Sequence, residues 1–340
     1  MKRSYQYIIA VALALFGAGS AFAQDDNSSG RTHVYEFLNV APSARAAALG
    51  NTFVAMKNDP NTLFSNPAAM MSIEKRDSLQ DGLPLSFGMT KHVLDINEGY
   101  ASFAGKIPDV DNGAFGVGVQ YISYGTFDGR DGVGQSTGNF SAGEFALTFG
   151  YAGTIPDRTI NYGVAIKYIS SSLVSGGSTE NFSSSGIAAD LGVYYENAPW
   201  QMTFGLSALN IGTQLSTYAG IQESLPFNLQ FGVSKKLERL PLTLHLAFRN
   251  ITRDLEGRNF FYALNDFSLG GEFNLSKVMR LRFGYENQKR RDLKTTEGVG
   301  LAGFSFGFGF AFTKLNFDYS VSAMGPALSD LHRFGAAYYF

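Results

Sequence analysis

From Leu83 onward this chain alternates apolar with small or polar side chains in fourteen segments, and the lengths of its connections follow parity. The segments run roughly 83–90, 97–106, 113–123, 140–152, 159–170, 184–196, 200–210, 226–236, 241–250, 267–276, 279–290, 300–312, 314–322 and 330–340. A period of two is the period of a β-strand, whose successive side chains point to opposite faces. Connections after segments 2, 4, 6, 8, 10 and 12 are short, such as "NAP" and "SK". Those after segments 3, 5, 7, 9 and 11 are long: 124–139, 171–183, 211–225 and 251–266 are examples. An even number of strands, with short turns at one end and long loops at the other, is the organisation of an outer-membrane barrel. A soluble sandwich has no reason to sort its loops this way.

The two faces of each strand agree with that reading. In "GLAGFSFGFGFAF", Phe304, Phe306, Phe308, Phe310 and Phe312 share one face, and Ser305, Gly307, Gly309 and Ala311 share the other. Across the set, the less apolar face carries Glu144, Lys167, Asp190, Arg249, Glu272, Arg280, Arg282, Glu286, Asp318 and Arg333. A lysine or arginine turned to lipid at the midplane costs about 2–4 kcal/mol. The charged face therefore belongs to the lumen and the phenylalanines to lipid. A closed barrel also leaves no unpaired backbone in hydrocarbon.

The ends give an address. Lys2 and Arg3, the apolar "YIIAVALALFGAGSA" and Ala21-Phe22-Ala23 form a secretory signal over residues 1–23. Those two residues belong to 27 basic against 29 acidic side chains, so removing the signal leaves a formal charge of −4. That balance does not suggest a nucleic-acid partner. The sequence has no cysteine, which excludes disulfides, thiolate metal sites and a cysteine nucleophile. Phe334, Tyr338 and Phe340 share a face of the last strand and resemble the signal read by bacterial barrel-assembly machinery.

Fourteen strands enclose more space than an eight-stranded barrel, whose side chains fill it. Residues 36–82 are the candidate plug, preceded by a polar segment, 24–35, expected to be disordered. "SARAAAL" should form a helix capped by Ser43 and ended at Gly50, and Asn66-Pro67-Ala68 sits in a turn-rich stretch. An ordered periplasmic extension is the alternative for this segment. The expected fold is all-β: a 14-stranded antiparallel transmembrane barrel, 83–340, with an N-terminal, partly helical plug.

Enzyme chemistry finds little support. "GVGLAG", 298–303, has dinucleotide-motif spacing but lies between a loop and a strand, the wrong context. His33, His92, His245 and His332 have no metal-ligand spacing. His245 should face the lumen, where no motif nominates a serine and carboxylate to complete a triad. No cofactor is expected. The loop "DGRDGVG" lacks the acidic positions of a calcium loop.

"YEFLNVAPSARAAALG" and "NDPNTLFSNPAAM" resemble the start of the PorV/PorQ family of the type IX secretion system, and Asn66-Pro67-Ala68 is similar to the hatch of the wider FadL-like group. "GAFGVGVQYISYGTFDG", "ALNIGTQLSTYAG" and "GLAGFSFGFGF" follow in the order of the PorQ branch. The resemblance implies a non-enzymatic outer-membrane protein that anchors surface attachment proteins, PorZ-like and also PorU- and PorV-like. The alternative is FadL-like transport of a hydrophobic small molecule. Loop aromatics Tyr124, Phe127, Tyr218, Phe260 and Phe261 are the candidate partner anchors.

Overall fold

Every strand finds its neighbour in chain order, and β1 closes on β14. The computed structural model describes residues 33–74, 83–92, 95–106, 113–130, 132–156, 159–175, 181–218, 220–251, 264–296, 298–326 and 328–340. The strands are β1 Pro84–Lys91, β2 Asn97–Lys106, β3 Gly113–Arg130, β4 Ser136–Thr154, β5 Ile160–Ser175, β6 Asn181–Asn197 and β7 Met202–Ser216. They continue as β8 Asn228–Lys236, β9 Leu242–Phe248, β10 Phe267–Asn274, β11 Met279–Glu286, β12 Phe304–Ala311, β13 Leu315–Ser322 and β14 Leu331–Tyr339. All pairs are antiparallel, and the closed ring of fourteen is the barrel expected from the sequence.

Its outer surface is apolar. Phe87, Met89, Phe149, Ile166, Phe306 and Phe334 each leave about half or more of their surface outside the protein, as a lipid-facing band requires. Phe308, Tyr319 and Phe334 form an aromatic row across β12, β13 and β14, with ring centroids 5.0 and 5.1 Å apart. Ser305, Gly309 and Ala311 are buried on the opposite face. Phe334, Tyr338 and Phe340 fall on the outward face, and the rings of Tyr338 and Phe340 meet edge-on at 5.1 Å.

The long loops are shorter than expected because five strands are longer. The five strands from β3 to β7 run 15 to 19 residues, whereas about 9–11 tilted residues cross a bilayer. β3 and β4 take up 124–130 and 136–139 of the expected loop 124–139, β5 and β6 take up 171–175 and 181–183 of 171–183, and β7 takes up 211–216 of 211–225. Glycines within the expected loop 124–139 sit at bulges of the extended strands. Register shifts fall between Ser123 and Thr126 and between Gly129 and Arg130, with Gly125 at φ 81° and Gly138 at φ 95°. Residues 287–290, expected in strand eleven, instead open a short helix, α2 (Asn287–Asp292), built from the good helix formers of "NQKRRD". Most of 251–266, including Phe260 and Phe261, lies outside the described residues, as do the signal, 24–32 and 75–82.

Residues 33–73 fill the interior. Helix α1 (Ala44–Ala48) packs against the wall from β11 to β14. The 3₁₀ turns Phe53–Ala55, Pro60–Phe64 and Pro67–Ser72 face β7–β9, β1–β3 and β4–β6 respectively. Together the four elements touch every sector of the barrel. Ala46, Ala48, Leu49, Val54, Leu63, Ala68, Ala69 and Met70 are completely buried. This is the plug expected from the sequence, with one correction: Val34 and Tyr35, placed in the disordered segment 24–35, are buried against the barrel wall, because their apolar side chains complete its core cluster. Helix α1 is capped as expected. Ser43 accepts from the Ala46 amide at 3.1 Å, and Gly50, at φ 63°, turns the chain away.

Candidate functional site

The lumen is the site, and the plug divides it into two ends. Asn66, Pro67 and Ala68 form its central staple. Pro67 starts the last 3₁₀ turn, and the Asn66 side chain accepts from the Ala68 amide at 3.2 Å. The same carboxamide donates to the carbonyls of Val54, at 2.9 Å, and of Val193 on β6, at 3.0 Å. One fully buried side chain thus caps a turn, ties two plug elements and fixes both to the wall. The wall admits this contact because it is glycine there. A Cβ on Gly192 would lie 2.1 Å from Asn66 Oδ1, and one on Gly163 would lie 2.2 Å from the Ala68 nitrogen.

Toward the long-loop end the plug is sealed by apolar packing. Val34, Tyr35, Phe37 and Leu38 meet Ile122, Ala146, Ile169, Ala188 and Leu225 in one cluster, with Tyr124 against it. A polar ring surrounds them. Tyr124 donates to Glu144 at 2.7 Å, Ser171 donates to the other Glu144 oxygen at 2.8 Å, and Tyr218 donates to Ser171. Tyr35 and Ser184 hydroxyls lie 2.6 Å apart. Tyr124 and Tyr218, two of the candidate loop anchors, therefore turn inward and close the lumen. Phe127 is different: it stacks on Phe140 with centroids 5.1 Å apart and keeps over a third of its surface exposed.

Deeper, the lumen is charged and matched. Lys167 bonds Asp190 at 2.8 Å and Asn210 at 2.7 Å, with both ionised groups essentially inaccessible. Asn210 sits at a bulge, at φ 60°, where its amide donates to Asp190 at 2.8 Å. On the other side, Arg45 of α1 grips Glu272 of β10 with two donors at 3.1 Å and reaches Asp59 at 3.1 Å. Arg282 also donates to Glu272, at 2.7 Å, and to Asp318. Burial would lower the Arg45 pKa, but Glu272 and Asp59 override it and hold the guanidinium above its ordinary value. Arg249 pairs with Glu286 at 3.6 Å, and Arg333 donates to Ser322 at 3.2 Å. All ten charged residues assigned to the lumen lie there, buried or half-buried. The sequence reading missed Arg45; its only mark was one charge inside an alanine-rich helix.

At the short-turn end, below the plug, a cavity of about 480 Å³ opens between Arg45, Asp59, Tyr100, Glu272, Arg280 and Asp318. Its rim includes Gln201, Lys236 and Asn274 from the short turns and strand ends, which places it on the periplasmic side of such a barrel. His245 also lines it, and His245 Nδ1 lies 2.7 Å from Ser234 Oγ. Its Nε2 has no hydrogen-bond partner among the described residues, so no carboxylate orients the ring as a triad would require. Ser234 and Thr203 both donate to the Ala55 carbonyl, at 3.3 and 2.7 Å, so this group clamps the plug. His92 pairs with Glu98 and His332 with Tyr319, each locally.

Fold and lumen together define a plugged barrel of the outer-membrane type. The chain belongs to the family described as Type IX secretion system protein PorV, whose model matches residues 22–237. Among solved structures it is similar to the Ralstonia pickettii toluene transporter TbuX, at 14% identity and TM-score 0.54, over 88% of this chain and 97% of that one. A deltaS2 mutant of the TodX monoaromatic hydrocarbon channel matches at 12% identity and TM-score 0.57, over 87% and 98%. A Pseudomonas aeruginosa FadL homologue matches at 10% identity and TM-score 0.55, over 87% and 98%. At these identities the likeness is one of fold. No curated protein matches the chain.

Proposed function

We propose that this chain is a non-enzymatic outer-membrane component of the type IX protein secretion system, and that it anchors a cell-surface attachment complex on its extracellular side. The observation that carries the reading is the extension of β3–β7 past the membrane above a sealed plug. Strands of 15 to 19 residues raise a curved wall roughly 20 Å beyond the bilayer. Its lumen-side face bears an apolar row above the tyrosine ring: Phe127 pairs with Phe140, and Leu173 with Phe182. Phe127 and Phe182 remain exposed there, as interface anchors do. Family membership supplies the secretion context, and the PorQ-like resemblance suggests PorZ-, PorU- and PorV-like surface proteins as partners.

The test is gentle extraction of a tagged chain from its native outer membrane, followed by mass spectrometry of what co-purifies. Attachment proteins should come down with the wild type and be released by Phe127→Ser combined with Phe182→Ser, and by Phe260→Ser with Phe261→Ser. A barrel that emerges without them sinks the reading.

Transport of a hydrophobic small molecule is the second reading, favoured by the fold shared with the toluene transporter and the hydrocarbon channel. Against it stands a lumen whose described lining below the plug is charged and hydroxyl-rich. Uptake of labelled fatty acid or toluene, compared in cells with and without the gene, separates the two.

A further inference from the structure

The charges below the plug are matched one against another, with two exceptions that face the same space. Arg45 is held by Asp59 and Glu272, Arg282 by Glu272 and Asp318, and Lys57 by Glu196 at 2.9 Å. Arg280 makes no hydrogen bond or ion pair among the described residues, although it is only partly exposed and lines the cavity. Its neighbours across the wall, Asn274 and Gly309, carry no charge. The Lys236 side chain, at the end of β8 and on the cavity rim, likewise has no hydrogen-bond or ion-pair partner among the described residues. One buried donor beside the cavity is also unanswered: Arg282 Nη2 has no hydrogen-bond partner among the described residues.

We propose that this cavity binds the anionic group, carboxylate or phosphate, of a polar solute or lipid headgroup entering from the periplasmic side, with Arg280 as its principal contact and Lys236 at the rim. Five basic side chains line the cavity against four acidic ones, so its balance is positive. The nearby carboxylates of Glu272 and Asp318 already accept from arginines, which leaves the fork of Arg280 for an outside acceptor. A guanidinium matches a carboxylate or phosphate with two parallel donors. The volume falls within the range of small-ligand sites, and amide and hydroxyl groups of Asn58, Gln201 and Thr243 suit a polar body rather than an aliphatic one.

The test uses the full chain folded in neutral detergent at low ionic strength. Calorimetric titrations with inorganic phosphate and with acetate form one arm. In the other, the chain is placed in nanodiscs of zwitterionic lipid with or without phosphatidylglycerol, and retained lipid is identified by mass spectrometry. Arg280→Gln should weaken the anion at least about tenfold, and Lys236→Gln should weaken it less. Lys277→Gln, an exposed charge on the neighbouring turn outside the cavity, should change nothing. Arg280-dependent phosphate or acetate binding assigns a soluble anion, and Arg280-dependent retention of phosphatidylglycerol alone assigns a headgroup. Heat-modifiable gel migration reports whether each variant folds; if Arg280→Gln does not, Arg280→Lys and Lys236→Gln carry the comparison. Wild-type protein that binds neither source, or affinity that survives Arg280→Gln or falls equally in Lys277→Gln, overturns the proposal.

Discussion

Asn66 Oδ1 occupies the place where a side chain on Gly192 would begin: a Cβ there would be 2.1 Å away. The plug is therefore seated by the absence of side chains on β5 and β6 as much as by its own hydrogen bonds. Gly192→Ala and Gly163→Ala should each displace the 67–72 turn, because the obstructing atoms belong to the plug's backbone and to a buried carboxamide. Overpacking of this kind costs about 1–3 kcal/mol. Limited proteolysis in detergent would report it as new cleavage within 33–73 while the barrel stays intact. An uncleaved plug in both variants would contradict the seating described here.

Asn66→Asp tests the staple without changing its size. A carboxylate can still accept from the Ala68 amide, but it cannot donate to the Val54 and Val193 carbonyls. Each buried acceptor left unsatisfied costs about 1–3 kcal/mol. The temperature at which the barrel changes gel mobility should fall, and Asn66→Ala should lower it by a similar amount.

Arg45→Met should be among the most damaging single changes, because it leaves Asp59 and Glu272 facing a buried methionine. Removing one partner of a buried pair costs about 3–5 kcal/mol. Adding Asp59→Asn should restore part of the loss, because Asp59 is the carboxylate that Arg45 alone pairs, whereas Glu272 keeps Arg282. The wild-type contribution of Arg45 should not vary with pH through the working range. A folded pKa raised above the ordinary arginine value keeps Arg45 charged throughout that range, and the contribution is lost only as pH rises through the folded pKa, well into the alkaline. Thermal melts of the single and double variants measure the coupling directly.

How much of this was legible in the sequence depends on range. Period two fixes which face of a strand is apolar, so Phe306 and Arg282 could be sent to opposite sides without any structure. Periodicity does not say which charge meets which. Arg45 and Glu272 are 227 residues apart and meet only because the chain folds into its own barrel. The bounds of the long connections were less legible, since Gly125 and Gly138, inside the expected loop 124–139, sit at bulges within strands. Which way Tyr124 and Tyr218 turn is likewise set by distant partners rather than by the local pattern. Once β3 and β7 extend, those hydroxyls fall within reach of Glu144 and Ser171.

The plug touches every sector of the wall and is sealed by Val34, Tyr35, Phe37 and Leu38 toward the long-loop end. The folded chain should thus show almost no ion conductance in a planar bilayer. Deleting 33–73 should convert it into a conducting pore, because the wall it leaves is polar and charged: Gln120, Lys167, Asp190, Gln230, Glu272, Arg282 and Arg333 would line water. If the barrel instead fails to assemble, Gly163→Ala serves as the milder opening and should raise conductance intermittently. Steady conductance from the intact chain would mean that the plug does not seal the lumen, and would move the transport reading ahead of attachment.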